Sequence, residues 1–331
     1  MIKFDEFTKK YIKNFFDKRD KQIKFDFINK EKNNILSKFD KNIQFKIEPF
    51  DVKLEKIRKL FDTEWVYTEA INNLNTLTAN YKITWKHNVM HTIYFKGTET
   101  KFKEFKQRMV TLINMLNYLY DKKNTRKESA ISMYLILTPL KKTLEDTEVI
   151  GPRNINSGYT DFITNEILCW REEEFEKVIF HEMIHYMNLD VRNMAFDDKD
   201  LPHEIDGYKS YFEAFTDFWG ILYHIIYISL ILKKSPNSLL QIEFEFIKNQ
   251  ANLMNKFFDL DDWTTKKYLK QKSPAFTYFI LKYLLFKRII YSNDISLLDK
   301  PRELLSELMS QKFNVEDFIN LPPRMSLLQL A

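Results

Sequence analysis

His181-Glu182-Met183-Ile184-His185 is the stretch of this chain whose residue types and spacing spell out a chemistry. Residues four apart lie on one face of a helix, so His181 and His185 can reach a single metal ion together. Glu182 stands about 100° further round the helix, where its carboxylate can hold a water at that metal. The chemistry expected is metal-assisted hydrolysis. A zinc ion would lower the pKa of a water from about 16 towards 7, and Glu182 would take the proton as general base and later pass it to the leaving amine.

The motif needs a helix beneath it, and the preceding run supplies one. Arg171 to Phe180 contains no Pro or Gly. Phe175, Val178, Ile179 and Ile184 recur at the spacings of a half-buried helix. Glu172, Glu173 and Glu174 read as a solvated first turn, where the helix dipole favours negative charge.

Two histidines are not enough, because a catalytic zinc usually takes three protein ligands and keeps a fourth position open. The downstream candidates are Asp190, His203, Glu204, Glu213 and Asp217. The extended pattern H-E-x-x-H-x-x-G-x-x-H fails, since Asn188 and Val191 occupy its Gly and third His positions. Glu213 is the better choice. It lies in an apolar segment, Tyr211-Phe-Glu-Ala-Phe-Thr-Asp217, that reads as a buried helix placing Glu213 and Asp217 on one face. An unpaired buried carboxylate is costly, so two of them need a reason. Zinc gives one to Glu213, and the outer N–H of a ligating imidazole gives one to Asp217.

At this point the chain resembles the gluzincin metallopeptidases, which include the thermolysin-like enzymes: H-E-x-x-H followed by a helical E-x-x-x-D, here Glu213-Ala-Phe-Thr-Asp217. The resemblance implies that Glu213 is the third zinc ligand and that Asp217 orients His181. The chain departs from thermolysin-like enzymes at Phe212, where they carry Asn, and in its longer gap of 28 positions between His185 and Glu213. Upstream, Asn156-Ser-Gly-Tyr-Thr160 ahead of Glu166 to His181 is similar to gluzincin-like metallopeptidases encoded by large DNA viruses of eukaryotes. That resemblance implies a cleft-lining edge strand at Asn156, Ser157, Gly158 and Tyr159; an ordinary Gly-containing turn is the other reading. The implied fold is α+β and zincin-like. A small mixed sheet carries its edge strand over an active-site helix, and a mostly helical C-terminal subdomain follows.

The rest of the chain must position these groups. Its 331 residues suffice for one large domain or two intimate ones, and 44% hydrophobic residues allow a real core. Only 5 Gly and 9 Pro favour a helix-rich chain with few flexible linkers. The single cysteine, Cys169, sits in an apolar strand-like run and reads as a buried, inert thiol. One cysteine allows no internal disulfide, and the N-terminus lacks an apolar signal core. A reducing compartment is therefore expected: the cytoplasm, a virion or an infected cell. The apolar run from Phe218 to Leu232 reads as a core helix carrying the third ligand, not as a membrane span.

Residues 1–60 hold 17 Lys and Arg against 10 Asp and Glu. They read as basic amphipathic helices packed on the core, with nucleic-acid binding disfavoured because acids are mixed in throughout. Residues 61–190 form the expected sheet subdomain with the metal helix. It comprises strands on either side of a turn at His87-Asn88, an amphipathic helix over 100–121, a buried strand over 131–138 and the edge strand. His87 and His91 read as strand residues. Residues 191–331 read as helical, including 244–258, 264–290 and 301–309. Tyr208, Tyr211, His203 and His224 are candidates to stabilise an oxyanion, with Tyr208 preferred because it precedes the ligand helix in a Gly-containing segment. The expected function is zinc-dependent cleavage of protein or peptide substrates, as an endopeptidase. The alternative is a catalytically degenerate scaffold or interaction protein.

Overall fold

The computed structural model describes residues 2–15, 23–51, 53–63, 66, 68–122, 129–145, 147–190, 204–207, 210–260, 268–310, 319 and 321–331. Two helices open the chain, α1 (Glu6–Phe15) and α2 (Asp26–Ser37), followed by strand β1 (Phe45–Pro49), α3 (Leu54–Phe61) and α4 (Thr68–Asn72). β1 falls in the stretch read as helical. Its Phe45-Lys-Ile alternation is a period of two, and β2 offers it an antiparallel partner. β2 (Ala79–His87) and β3 (Val89–Gly97) form the expected hairpin, with Asn88 at φ 60° making the turn. The expected single helix over 100–121 is two, α5 (Glu99–Lys106) and α6 (Met109–Lys122). The break falls at Arg108, whose buried guanidinium lies 2.8 Å from Glu176 and donates to the Ala331 carbonyl.

Strand β4 (Ser132–Thr138), the short α7 (Pro152–Ile155), β5 (Gly158–Asp161), β6 (Glu166–Arg171) and α8 (Phe175–Tyr186) follow. The six strands form one mixed sheet in the order β1-β2-β3-β4-β6-β5. The β3–β4 and β4–β6 pairs are parallel, and the other three are antiparallel. β4 and β6 are covered on both faces, as near-continuous apolar strands must be. Met133, Leu135, Ile167 and Cys169 face the main core, while Tyr134, Ile136, Leu168 and Trp170 face a smaller cluster built by α3 and α4. Burial pushes the Cys169 thiol pKa well up, as an inert core cysteine requires.

Beyond β7 (Glu204–Gly207), the long helices α9 (Phe212–Leu232) and α10 (Pro236–Phe257) lead to β8 (Tyr268–Gln271). A π-helical turn (Phe276–Leu281), α11 (Lys282–Ser292) and α12 (Pro301–Ser310) complete the chain. The helical reading of this half needs correction at the parallel β7–β8 pair, and α10 starts at Pro236, earlier than residue 244. Pro at the first helical position of α10 explains that start, because its missing N–H is one the helix leaves unbonded anyway. Among the described residues α9 is the one helix long and apolar enough to cross a membrane, but 78% of its apolar window is buried within the fold. It is a core helix, and it lies alongside α8. Gly220 makes that approach possible, since a Cβ there would meet the His181 Cα at 3.0 Å.

Candidate metal centre

All twelve residues of α8 are buried, including its five charged or imidazole side chains. A left-handed Asn188 (φ 52°) closes the helix in a Schellman turn, with Leu189 N–H donating to the Ile184 carbonyl and Asn188 N–H to the His185 carbonyl. On the α8 face turned towards α9, the Nε2 atoms of His181 and His185 lie 3.1 Å apart. Each is 3.2 Å from Glu213 Oε2, in the first turn of α9. A tetrahedral ion with bonds of about 2.0–2.1 Å holds its ligand atoms about 3.3–3.4 Å apart, so this triangle is nearly the base of such a site. The buried group His181, His185 and Glu213 could hold a metal ion.

The outer nitrogens fix the tautomers. His181 Nδ1–H donates to Asp217 Oδ1 at 2.9 Å, and His185 Nδ1–H donates to Asp190 Oδ2 at 2.5 Å. With both Nδ1 atoms committed to carboxylates, the two Nε2 atoms and a carboxylate oxygen are left facing one point. Such a point attracts a cation. Burial by itself lowers the His185 pKa, but Glu213 and Asp190 outweigh it and push the value up to about 10. Burial would likewise raise the Glu213 pKa, yet the two imidazoles hold it well below the usual carboxylate range.

Glu182 borders the same cleft, which has a volume of about 200 Å³. Thr160 Oγ1, on β5, lies 2.7 Å from Glu182 Oε2 and 3.1 Å from the Glu182 carbonyl oxygen. Gly158 lets β5 come this close: a Cβ there would stand 2.5 Å from Val178 Cγ1 and 3.0 Å from Glu182 Oε1. β5 is the edge of the sheet, antiparallel to β6. The strand runs over 158–161, two residues later than the expected edge. Asn156, Gly158 and Tyr159 line the cleft, and Ser157 is buried without lining it. Phe212, Pro274 and Tyr278 also line the cleft, with the Tyr278 ring centroid 6.0 Å from that of His181.

The oxyanion candidates fare differently. Tyr208 and His203 lie outside the described residues. Tyr211 is buried and does not line the cleft. His224 is a core residue against Phe180 and Tyr227, and burial lowers its pKa to about 3. Glu172, Glu173 and Glu174 are not a solvated first turn. They precede α8, and Glu173 and Glu174 are buried. Glu174 pairs with Lys142 at 2.6 Å and Glu173 accepts the Lys142 N–H at 2.9 Å. The C-terminal segment and Lys142 supply buried donors that the local sequence does not show.

Sequence reasoning missed Thr160, Tyr278, Lys177 and Lys282, and considered Asp190 only as a ligand. Lys177 did carry a signal. It lies four residues before His181 on the same helix face, where a lysine must meet an acid.

No protein-family profile matches the chain, and no solved structure matches it. The chain is similar to uncharacterized protein R210 of Acanthamoeba polyphaga mimivirus, with 26% identity over 218 residues, 65% of this chain and 53% of that protein. It thus spans about half the length of the curated relative it matches, and that relative is viral.

Proposed function

We propose that this chain is a zinc-dependent peptidase of gluzincin type and zincin-like fold, cutting within extended peptide segments. The observation that carries the proposal is the convergence of His181 Nε2, His185 Nε2 and Glu213 Oε2, each imidazole backed by its own buried carboxylate, with Glu182 alongside. Charge supports it as well. Among the described residues, Asp217 is matched by two buried lysines, Lys177 and Lys282, whereas the buried Glu213 and Asp190 pair with the imidazoles at the triangle. A cation held between the imidazoles would offset those carboxylates.

When bound, zinc would supply an activated water and polarise the scissile carbonyl. The chain's own residues do the rest. Glu182 takes the proton from the attacking water and returns it to the leaving amine, and Thr160 holds its carboxylate against β5. The edge of β5 pairs with extended substrate. Tyr278, which lines the cleft, takes the oxyanion role for which Tyr208 was the sequence candidate. The cleft lining contains no acid beyond Glu182 and Glu213 among the described residues, so nothing there is set to hold a free amino terminus. That favours an endopeptidase.

The test is elemental analysis of the purified protein beside Glu213→Ala. About one zinc per chain, lost in the variant, is the expected result. A protein that takes up no zinc even on reconstitution sinks the enzyme reading, and zinc undiminished in Glu213→Ala overturns the ligand set.

A further inference from the structure

Asp217 does more than accept one imidazole proton. It is fully buried on α9, and its two oxygens meet three donors. Oδ1 receives His181 Nδ1–H and the Lys177 ammonium, and Oδ2 receives the Lys282 ammonium at 2.8 Å. Lys177 comes from the metal helix α8, and Lys282 is the first residue of α11. Lys282 also donates to the Met325 carbonyl at 2.8 Å, which ties the C-terminal segment to the same point. Two helices, α8 and α11, thus meet at the carboxylate behind one imidazole of the triangle, and Lys282 links the C-terminal segment to it.

Stability alone does not account for this arrangement. Buried ion pairs contribute little net stability, and apolar residues of similar volume often serve as well. A carboxylate with a single imidazole donor can still turn about its own bond, whereas one held on both oxygens cannot. The groups behind a ligating histidine fix its ring angle, and their loss typically weakens metal binding about 10–100-fold.

We infer that Lys177 and Lys282 are positioning residues of the metal centre, clamping Asp217 so that His181 Nε2 points at the ligand triangle; the inference rests on the metal-binding reading above. Neither lysine lines the cleft or touches substrate in this scheme. Their action passes through Asp217 and His181 alone.

A double-mutant cycle tests it. Zinc affinity is measured by competition with a chelating dye for the wild type, Lys282→Met, Asp217→Asn and the double variant, and the visible spectrum of each cobalt-loaded protein is recorded. Lys282→Met is expected to weaken zinc binding about 10–100-fold and to shift the cobalt spectrum. The double variant is expected to bind no more weakly than Asp217→Asn, because the lysine has nothing left to clamp. Unchanged affinity and spectrum in Lys282→Met, or losses that simply add, overturn the clamp. Should Lys282→Met fail to fold, the double variant, which removes both charges, still decides: a further 10–100-fold loss beyond Asp217→Asn overturns the clamp. A wild type that binds no zinc overturns the reading beneath it, whereas an unaffected Lys282→Met overturns the clamp alone.

Discussion

The chain carries two pairs of histidines four residues apart, and only one pair converges. His181 and His185 lie on a helix, whose pitch turns that spacing into a shared face. His87 and His91 lie on the two strands of a hairpin, where Trp85 pairs with His91 and His87 with Val89. The His87 ring turns to Asp121 at 2.8 Å. His91 uses both nitrogens on backbone, with Nε2 donating to the His87 carbonyl and Nδ1 accepting from Ile131 N–H. The difference lies in what stands behind and beside the rings. The helix pair has a carboxylate behind each ring and the Glu213 carboxylate oxygen shared between them, whereas the ring contacts of the hairpin pair go to Asp121 and to main chain. Spacing proposes a metal site, but the surrounding acids decide whether one exists.

The sharpest way to break this comparison is Glu182→Gln. If α8 holds a hydrolytic centre, peptide cleavage falls about 10²–10⁴-fold while zinc content stays that of the wild type. Joint loss of zinc and activity would place Glu182 among the ligands instead. Next comes an exchange of histidines. His185→Ala should weaken zinc binding by more than the roughly 10–100-fold that loss of a supporting partner brings, whereas replacing both His87 and His91 by Ala should leave it unchanged. Dye competition reads both, and equal losses at the two sites would erase the distinction. Asp190→Asn is smaller, about 10-fold in zinc affinity, because the amide can still accept from His185 Nδ1–H but without a full charge.

The last expectation concerns acid stability. Burial lowers the His91 pKa from 6.5 to about 4. Between those values the unfolded chain binds the extra proton and the folded one does not. Stability from this group is therefore fully present above pH 6.5 and is lost as pH falls towards 4, by up to about 3 kcal/mol. His91→Phe should be less stable at neutral pH, because it abandons two hydrogen bonds, yet should show a flatter decline between pH 6.5 and 4 in denaturant titrations. A decline as steep as the wild type's would assign the acid sensitivity elsewhere.

The three residues of the triangle and Asp217 were legible because each obeys a local rule. His181 and His185 share a helix face by spacing, and Glu213 and Asp217 are acids on an apolar helix that demand partners. The supporting residues were hidden because their partners are far away in sequence. Thr160 meets Glu182 across the contact between β5 and α8, and Lys282 reaches Asp217 from 65 positions on. Asp190 was visible as an acid, but its role depends on the left-handed turn at Asn188 that folds the chain back behind His185. The strand pattern of β2 to β4 was readable from alternation and apolar runs. β1 and the β7–β8 pair were not: the alternation of β1 spans only a few residues inside a lysine-rich stretch, and β7 and β8 are four residues each. The π-helical turn had no sequence mark, although it carries Tyr278 to the cleft wall and leads into Lys282.

The edge position of β5 has a second side. Its outer backbone has no strand partner among the described residues, and an unpaired edge is a template for any extended chain, including another copy of this protein. Two features keep the template small. β5 is four residues long and gives way to a tight turn in which Asp161 accepts the Ile163 and Thr164 N–H groups. Ile163, 93% exposed at that turn, is an apolar group left beside the edge. Ile163→Lys would make self-association through β5 less favourable in concentrated solution, while leaving the residues that line the cleft as they are.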